Sequence, residues 1–183
     1  DPNLPLFPRA FRGQYPPAST FKISVALAAL EGGTVDQDTL IDCPKSVQIG
    51  DKIFRNWSKK KEGKLNVMNA IMRSCNTWFY MVGGESGGDN IASMAHRFGF
   101  GAKTGIPLNA EEDGFIPTDA ILREKYSHAF TGGYVAHASI GQGYVLATPI
   151  QVAQMMAGVG NGYSVPKPRL VLQVQDLNNN ITA

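Results

Sequence analysis

Apolar residues recur at helical spacing in several parts of the chain, and the first such segment begins near Ser19 or Thr20 and runs to about Leu30. Its apolar positions share one face of a helix, namely Phe21, Val25, Leu27, Ala28 and Leu30. The pair Gly32–Gly33 follows, and glycine commonly ends a helix. The pattern predicts an amphipathic helix that carries Ser19 in its first turn.

The same reasoning predicts further elements along the chain. Helices are predicted at residues 66–72, 77–82, 89–98, 117–125 and 148–159, with Asp89 and Thr148 as N-caps. Alternating apolar residues predict a small hairpin over Ser46–Phe54, turning at Gly50-Asp51, and a strand over Arg169–Val174. Helices therefore dominate, and strands are few.

Composition narrows the class of protein. The chain has 183 residues, 43% of them hydrophobic and 17% charged, which suits one globular unit. A formal net charge of +2 gives no reason to expect nucleic-acid binding. Cys43 and Cys75 could pair, but no C-x-x-C spacing or Cys/His cluster indicates a metal site. The N-terminal residues match neither a signal peptide nor a membrane span.

Ser19-Thr20-Phe21-Lys22 is the first candidate for chemistry. Residues three apart lie on one face of a helix, so the Lys22 amine can lie beside the Ser19 hydroxyl. A serine becomes a good nucleophile when a base takes its proton, and burial can lower the pKa of a lysine enough for that role. The positive end of the helix would favour an oxyanion nearby. Taken alone, the same residues also fit a simple N-cap and a surface lysine.

Ser74-Cys75-Asn76 is the second candidate and lies between two predicted helices. Ser74 could relay a proton, and the amide of Asn76 offers a donor and an acceptor to a peptide. Taken alone, this tripeptide equally fits a helix junction with capping residues.

Together these segments resemble the penicillin-binding proteins, serine D,D-transpeptidases that share a fold with serine β-lactamases. The matching segments occur in the order of the class B, elongation-type pattern, most like penicillin-binding protein 2: residues 1–3, 15–22, 65–67, 74–77, 98–101, 104–106, 141–143 and 148–151. The resemblance covers nearly the whole chain. It implies an α+β fold in which helices pack on an antiparallel sheet that is incomplete in residues 1–183.

The resemblance also implies roles for individual residues. Ser19 would be the acylated nucleophile, and its backbone N–H would form half of the oxyanion hole. Lys22 would be the base for acylation. Ser74 would pass the proton to the departing D-Ala nitrogen, and Asn76 would bind the substrate amide. Some relatives are associated with a zinc site near the cleft, but residues 57–64 contain no histidine, so no metal or other cofactor is expected.

The family's third motif, Lys-Thr-Gly on a strand at the sheet edge, is not evident. Lys103-Thr104-Gly105 has the same letters but begins only 27 residues after Asn76 and leads into Ile106-Pro107, where proline would disrupt a central strand. We therefore interpret it as a structural segment. The true motif is expected beyond Ala183, so the chain is expected to be a partial transpeptidase domain that is inactive alone.

By resemblance, the complete protein would cross-link peptidoglycan stem peptides and be acylated by β-lactams. An N-terminal membrane helix would anchor it in the bacterial inner membrane, with the catalytic domain in the periplasm or cell exterior and glycosyltransferases of the elongation complex as partners. A class D type β-lactamase is an alternative, although Asn76 stands where those enzymes usually have an aliphatic residue. A non-catalytic scaffold of the elongation machinery is a second alternative.

An exposed apolar face on the helix around Ser19 is also expected.

Overall fold

The computed structural model describes residues 6–162, 164–176 and 180–181, so the resembling segment at residues 1–3 lies outside the described residues. The helices are α1 (Arg9–Arg12), α2 (Lys22–Glu31), α3 (Val67–Met72), α4 (Asn76–Ser86), α5 (Gly88–Arg97), α6 (Asp119–Tyr126), α7 (Gly132–Ala138) and α8 (Pro149–Asn161). The strands are β1 (Ile41–Cys43), β2 (Ser46–Ile49), β3 (Lys52–Arg55) and β4 (Gly63–Leu65). A 3₁₀ turn over Ala18–Phe21 leads into α2.

The strands form two small antiparallel sheets. β1 pairs with β4, with Cys43 opposite Gly63, and β2 pairs with β3, with Ser46 opposite Arg55. The second pair confirms the hairpin predicted around Gly50-Asp51. Helices with small antiparallel sheets confirm the α+β class, and among the described residues no larger sheet is present.

The helix that follows Ser19 is buried rather than exposed, so the expectation of an apolar face left open on it is wrong. Phe21 and Val25 are 0% exposed. Contacts with α4 and α5 cover this face, and the remaining apolar residues of the helix, Ile23, Leu27 and Leu30, are half-buried. Burial of α2 by its neighbouring helices fixes the position of the 3₁₀ turn that precedes it, where Ser19 lies.

The prediction of a strand over Arg169–Val174 is also wrong, because this segment has no regular secondary structure. Its apolar side chains are exposed, with Leu172 at 71%. Alternation indicates a half-buried strand only when a partner strand is available. In the part of the chain that the structure describes, the only pairing nearby is an isolated bridge between Gln175 and Ile181.

The predicted helix starts were partly correct. Thr148 caps α8 in a reciprocal arrangement with Gln151, as the Thr-Pro start predicted. Asp89 is not an N-cap, because α5 already begins at Gly88 and places Asp89 in its first turn. The Asp89 carboxylate instead accepts a hydrogen bond from the backbone N–H of Asp119 at 2.9 Å. Asp89 therefore makes a hydrogen bond to a distant segment instead of capping its own helix, as the sequence suggested.

Candidate active site

The turn that carries Ser19 is held in place by a second backbone segment. The N–H of Ala18 donates to the carbonyl of Gly141 at 2.9 Å, and Ala18 has a φ of 50°, which is unusual for a residue other than glycine. Phe21 anchors the other end of the turn by packing edge-on against Phe100, with ring centroids 5.4 Å apart. Between these two anchors the Ser19 side chain is exposed to solvent.

The turn that carries Ser74 joins α3 to α4. Ser74 has a φ of 50°, and the N–H of Cys75 donates to the carbonyl of Ala70 at 3.0 Å. The fully buried Cys75 directs the two polar residues beside it toward the cleft. Strained backbone at two separate turns that meet is typical of a functional site.

The structure brings all four predicted site residues together. Ser74 Oγ donates to Ser19 Oγ at 2.9 Å. The Lys22 Nζ donates to Ser74 Oγ at 3.0 Å, to the Ser74 carbonyl at 2.9 Å and to Asn76 Oδ1 at 2.6 Å. In this network the hydrogen-bond path from Lys22 to Ser19 runs through Ser74. Lys22 thus lies near Ser19 as the helical spacing predicted, and Ser74, which the sequence suggested as a proton relay, bridges the two by hydrogen bonds.

Burial changes the acid–base properties of Lys22. Its side chain is only 2% exposed, and its Nζ lies 5.3 Å from the centroid of the Phe79 ring. Desolvation disfavours the ammonium form and lowers the pKa of Lys22 to about 8, although the nearby Cys75 acts in the opposite direction. A pKa near the working pH suits a residue that both accepts and returns a proton.

Two residues that sequence reasoning missed bracket the Ser74 turn. Asn56 is buried, and its Oδ1 accepts from the N–H of Asn76 at 2.8 Å. The indole Nε1–H of Trp57 donates to the carbonyl of Arg73 at 3.1 Å. One dipeptide after β3 thus contacts both sides of the catalytic candidate Ser74. No local pattern in the sequence pointed to this contact, which joins residues 16 to 20 positions apart.

These side chains line an open cleft of about 330 Å³. Its walls consist of Ala18, Ser19, Trp57, Ser74, Asn76, Ile140 and Gln142. The cleft therefore combines a nucleophile candidate, a polar amide and an exposed aromatic ring. Such a combination of apolar surface with a few convergent polar groups is usual for a substrate site.

Lys103-Thr104-Gly105 has no strand structure and does not line this cleft. The buried carboxylate of Glu111 accepts hydrogen bonds from the N–H of Thr104 at 2.8 Å, from its Oγ1 at 2.5 Å and from the N–H of Gly105 at 3.1 Å. The tripeptide is thus held as a structural loop, in agreement with the interpretation from sequence.

We expect Glu111→Gln to lower the free energy of unfolding by about 2 kcal/mol, because glutamine keeps one acceptor oxygen for Thr104 but turns an N–H₂ group toward the N–H of Gly105, and the remaining bonds lose the charge of the carboxylate. Urea unfolding followed by circular dichroism measures the change. Glu112→Gln is the matched control, since Glu112 is half-buried and accepts only a 3.3 Å bond from Gln14, and it should change stability by less than about 0.5 kcal/mol. Equal effects of the two substitutions would contradict the role assigned to Glu111.

The two cysteines lie beneath the site as free, buried thiols. A hydrogen bond between them raises the pKa of Cys43 and lowers that of Cys75.

Within the described ranges, no three His, Cys, Asp or Glu side chains are grouped in a way that would hold a metal ion. None of the helices formed by these described residues has the length and apolar character needed to cross a membrane.

The chain is similar to known proteins in sequence and in fold. The curated relative peptidoglycan D,D-transpeptidase MrdA of Salmonella typhimurium is 40% identical over 174 residues, which are 94% of this chain and 28% of the relative. The crystal structure of Pseudomonas aeruginosa PBP2 in complex with WCK 5153 superposes with a TM-score of 0.89 at 36% identity, covering 93% of this chain and 39% of that one. The complex between PBP2 and MreC from Helicobacter pylori superposes with a TM-score of 0.90 at 30% identity. The match covers 98% of this chain and 33% of that one.

The chain thus spans just over a quarter of the length of the curated relative that it matches. The family model for the penicillin binding protein transpeptidase domain matches residues 2–182, and the two strained turns that meet at Ser19 and Ser74 lie inside this match. This chain therefore belongs to the penicillin-binding protein transpeptidase family.

Proposed function

We propose that this chain is the part of a peptidoglycan D,D-transpeptidase that supplies the serine nucleophile, Ser19. The observation that carries the proposal is the continuous hydrogen-bond path from Lys22 through Ser74 to the exposed Ser19 hydroxyl. The match to MrdA supports the same activity. We further propose that residues 1–183 are a partial transpeptidase domain and that its Lys-Thr-Gly strand lies outside them, which is compatible with the 28% share of the relative that is covered.

The arrangement supports acyl transfer in two steps. Ser19 Oγ attacks the carbonyl between two D-Ala residues while its proton passes through the Ser74 hydroxyl to neutral Lys22. The resulting ammonium returns that proton, again through Ser74, to the nitrogen of the departing D-Ala. The amine of a neighbouring stem peptide then attacks the ester, and its proton passes along the same path through Lys22 and Ser74 to the departing Ser19 oxygen. A β-lactam would enter the first step and remain bound as the acyl-enzyme.

Substrate binding and charge stabilisation complete the proposal. Asn76 lines the cleft and would hydrogen-bond the amide of the stem peptide. The backbone N–H of Ser19, in the 3₁₀ turn before α2, would provide half of the oxyanion hole. The other half would come from the Lys-Thr-Gly strand. The chain would therefore be inactive without that strand.

We also propose the setting in which the complete protein acts. The structure of PBP2 with MreC from Helicobacter pylori supports partners from the elongation machinery. Glycosyltransferases of that machinery are further partners under this proposal. An anchor in the inner membrane and a catalytic domain in the periplasm or cell exterior would place Ser19 beside its peptidoglycan substrate.

Labelling of the complete protein with a fluorescent penicillin tests the function. We expect a stable covalent adduct that mass spectrometry maps to the peptide containing Ser19. Thr20→Ala is a suitable control, because the Thr20 hydroxyl donates to the carbonyl of Pro17 and takes no part in the path to Lys22, so labelling should persist. An adduct on another residue, or no adduct, would contradict the proposal.

The same labelled protein separates the two alternatives. A class D type β-lactamase would hydrolyse a chromogenic cephalosporin rapidly and release the label within seconds to minutes. A non-catalytic scaffold would form no adduct while still binding its partner. A transpeptidase should instead show slow loss of label together with cross-linking of stem peptides.

A further inference from the structure

A second cavity, of about 380 Å³, lies between the β2–β3 hairpin and α7. The hairpin contributes the ring of Phe54, and α7 contributes Tyr134 and His137. Phe54 is held by an edge-on contact with Tyr80, with ring centroids 5.3 Å apart. Tyr134 stacks on His128, with ring centroids 4.4 Å apart. A cavity whose walls are already fixed can bind a ligand with little loss of conformational freedom.

This cavity adjoins the cleft that contains Ser19. The side chain of His137 lines the cavity, and its backbone carbonyl accepts from the N–H of Gln142 at 2.9 Å. Gln142 in turn lines the cleft. On the hairpin side, Phe54 lies two residues before Asn56, whose side chain accepts from the N–H of Asn76. The cavity and the cleft therefore lie on either side of the same residues.

The rim of the cavity carries one charge of each sign. Asp51 and Lys52, at the tip of the hairpin, line the cavity and are exposed to solvent. In the part of the chain that the structure describes, neither side chain forms an ion pair or a hydrogen bond with another residue. Adjacent charges of opposite sign complement a ligand that has both an amine and a carboxylate.

Transfer of the acyl group requires a second stem peptide beside the one attached to Ser19. Under the proposed function the cleft holds the donor, so the acceptor needs its own surface next to it. The acceptor nitrogen forms an amide bond to the ester carbonyl carbon while the bond from that carbon to the Ser19 oxygen breaks, and one N–H proton passes to this oxygen. An acceptor that ends in D-Ala also has a terminal carboxylate. It therefore carries both kinds of charge that the rim of the cavity complements.

From this geometry we infer that the cavity between the hairpin and α7 binds the acyl acceptor, a stem peptide with a free side-chain amine. Lys52 binds its terminal carboxylate, Asp51 attracts its amine while that group is still an ammonium, and Phe54 packs against its aliphatic chain. The neutral amine then reaches the ester on Ser19 past Gln142. The inference rests on the proposed function and adds the second substrate to it.

Gly133→Leu in the complete protein tests this site by filling the cavity. Gly133 lines the cavity, and an added Cβ would lie 3.9 Å from the Phe54 Cζ, which is an ordinary contact. The donor is a thioester analogue of the donor peptide, the acceptor is a synthetic stem peptide with a side-chain amine, and mass spectrometry measures the amide and hydrolysis products. We expect the acceptor concentration for half-maximal amide formation to rise about tenfold. The rate of penicillin labelling should stay within about twofold, because the donor cleft is not filled.

Two controls separate a blocked cavity from a damaged cleft. Gly84→Leu is the matched variant, since Gly84 is an exposed helical glycine with no atom within 4 Å of an added Cβ and does not line the cavity. It should leave amide formation unchanged. D-Alanine is the control acceptor, because a single amino acid can reach the ester without filling the cavity. Gly133→Leu should therefore use D-alanine as well as the unmodified protein does.

Lys52→Met isolates the contribution of the positive charge. Methionine keeps most of the side-chain length but carries no charge. We expect the half-saturating concentration of the stem peptide to rise about threefold, as is usual for the loss of an exposed ion pair. For an acceptor whose terminal carboxylate has been amidated, Lys52→Met and the unmodified protein should need the same concentration. A purely structural role of Lys52 would instead affect both acceptors alike.

Four results would overturn the inference: no amide formation with the stem peptide by an unmodified protein that penicillin labels, an unchanged half-saturating concentration in Gly133→Leu, an equal loss with D-alanine and the stem peptide, or an equal effect of Lys52→Met on the two stem peptides. Each of these leaves the proposed nucleophile intact as long as Ser19 is labelled. Failure of the unmodified protein to form an adduct on Ser19 would overturn the proposed function, and this inference with it.

Discussion

In the complete protein, Lys22→Met is expected to slow acylation of Ser19 by a penicillin about 10²- to 10⁴-fold, the usual contribution of a positioned general base. Methionine fills much of the buried space of the lysine stem but accepts no proton. The loss should appear in the limiting rate of acylation rather than in binding, because Lys22 is buried beneath Ser74 and Asn76 and contacts those residues instead of lining the cleft. Stopped-flow or gel-based labelling with fluorescent penicillin measures it.

The pH dependence of acylation checks the same role. The pKa of Lys22 is lowered by burial to about 8, and only the neutral amine accepts a proton. Lys22 is mostly protonated below pH 8, so the rate in the unmodified protein should rise as the pH increases through about 8 and then level off. The small residual rate in Lys22→Met should lack this rise.

Lys45→Met serves as the control for Lys22, because it removes an exposed lysine that does not line the cleft. Its rate and pH profile should match those of the unmodified protein. A Lys22→Met protein that stays folded by circular dichroism and acylates within about tenfold of normal would show that another group serves as the base.

Gly141→Ala is expected to damage both stability and acylation. A Cβ at this position would lie 2.4 Å from the Ala18 carbonyl oxygen and 2.7 Å from the Phe21 Cβ, and Gly141 has a φ of 65°. The clash would push the Ala18–Phe21 turn away from Ser74. We expect the free energy of unfolding to fall by about 2–4 kcal/mol, the sum of backbone strain and overpacking. Displacement of Ser19 by about an ångström should slow acylation about 100-fold.

Gly33→Ala is the matched control, since Gly33 has a similar φ of 70° but no atom within 4 Å of the added Cβ. It should cost only the backbone strain, about 1 kcal/mol, and leave acylation unchanged. Urea unfolding and penicillin labelling of both variants separate the effect of the backbone strain from the effect of the steric clash. Equal effects on acylation would mean that contact with Gly141 does not position Ser19.

Local signals were sufficient where an element depends on its own residues. The helical spacing after Ser19, the hairpin around Gly50-Asp51 and the Thr148 cap were all confirmed, because periodicity, turn chemistry and capping act over a few residues. Prediction failed for the strand at Arg169–Val174, which needs a partner strand, and for the cap at Asp89, whose carboxylate binds a distant N–H.

The sequence by itself determined the chemical groups of the site and the type of turn that presents each of them. Ser19 and Lys22 share a helix start, and Ser74 and Asn76 flank a helix junction, since both arrangements follow from short-range geometry. Only the tertiary structure decided that the two turns meet, that Ser74 bridges Lys22 to Ser19 and that burial lowers the pKa of Lys22. These properties depend on packing between segments more than 50 residues apart, which no local pattern encodes.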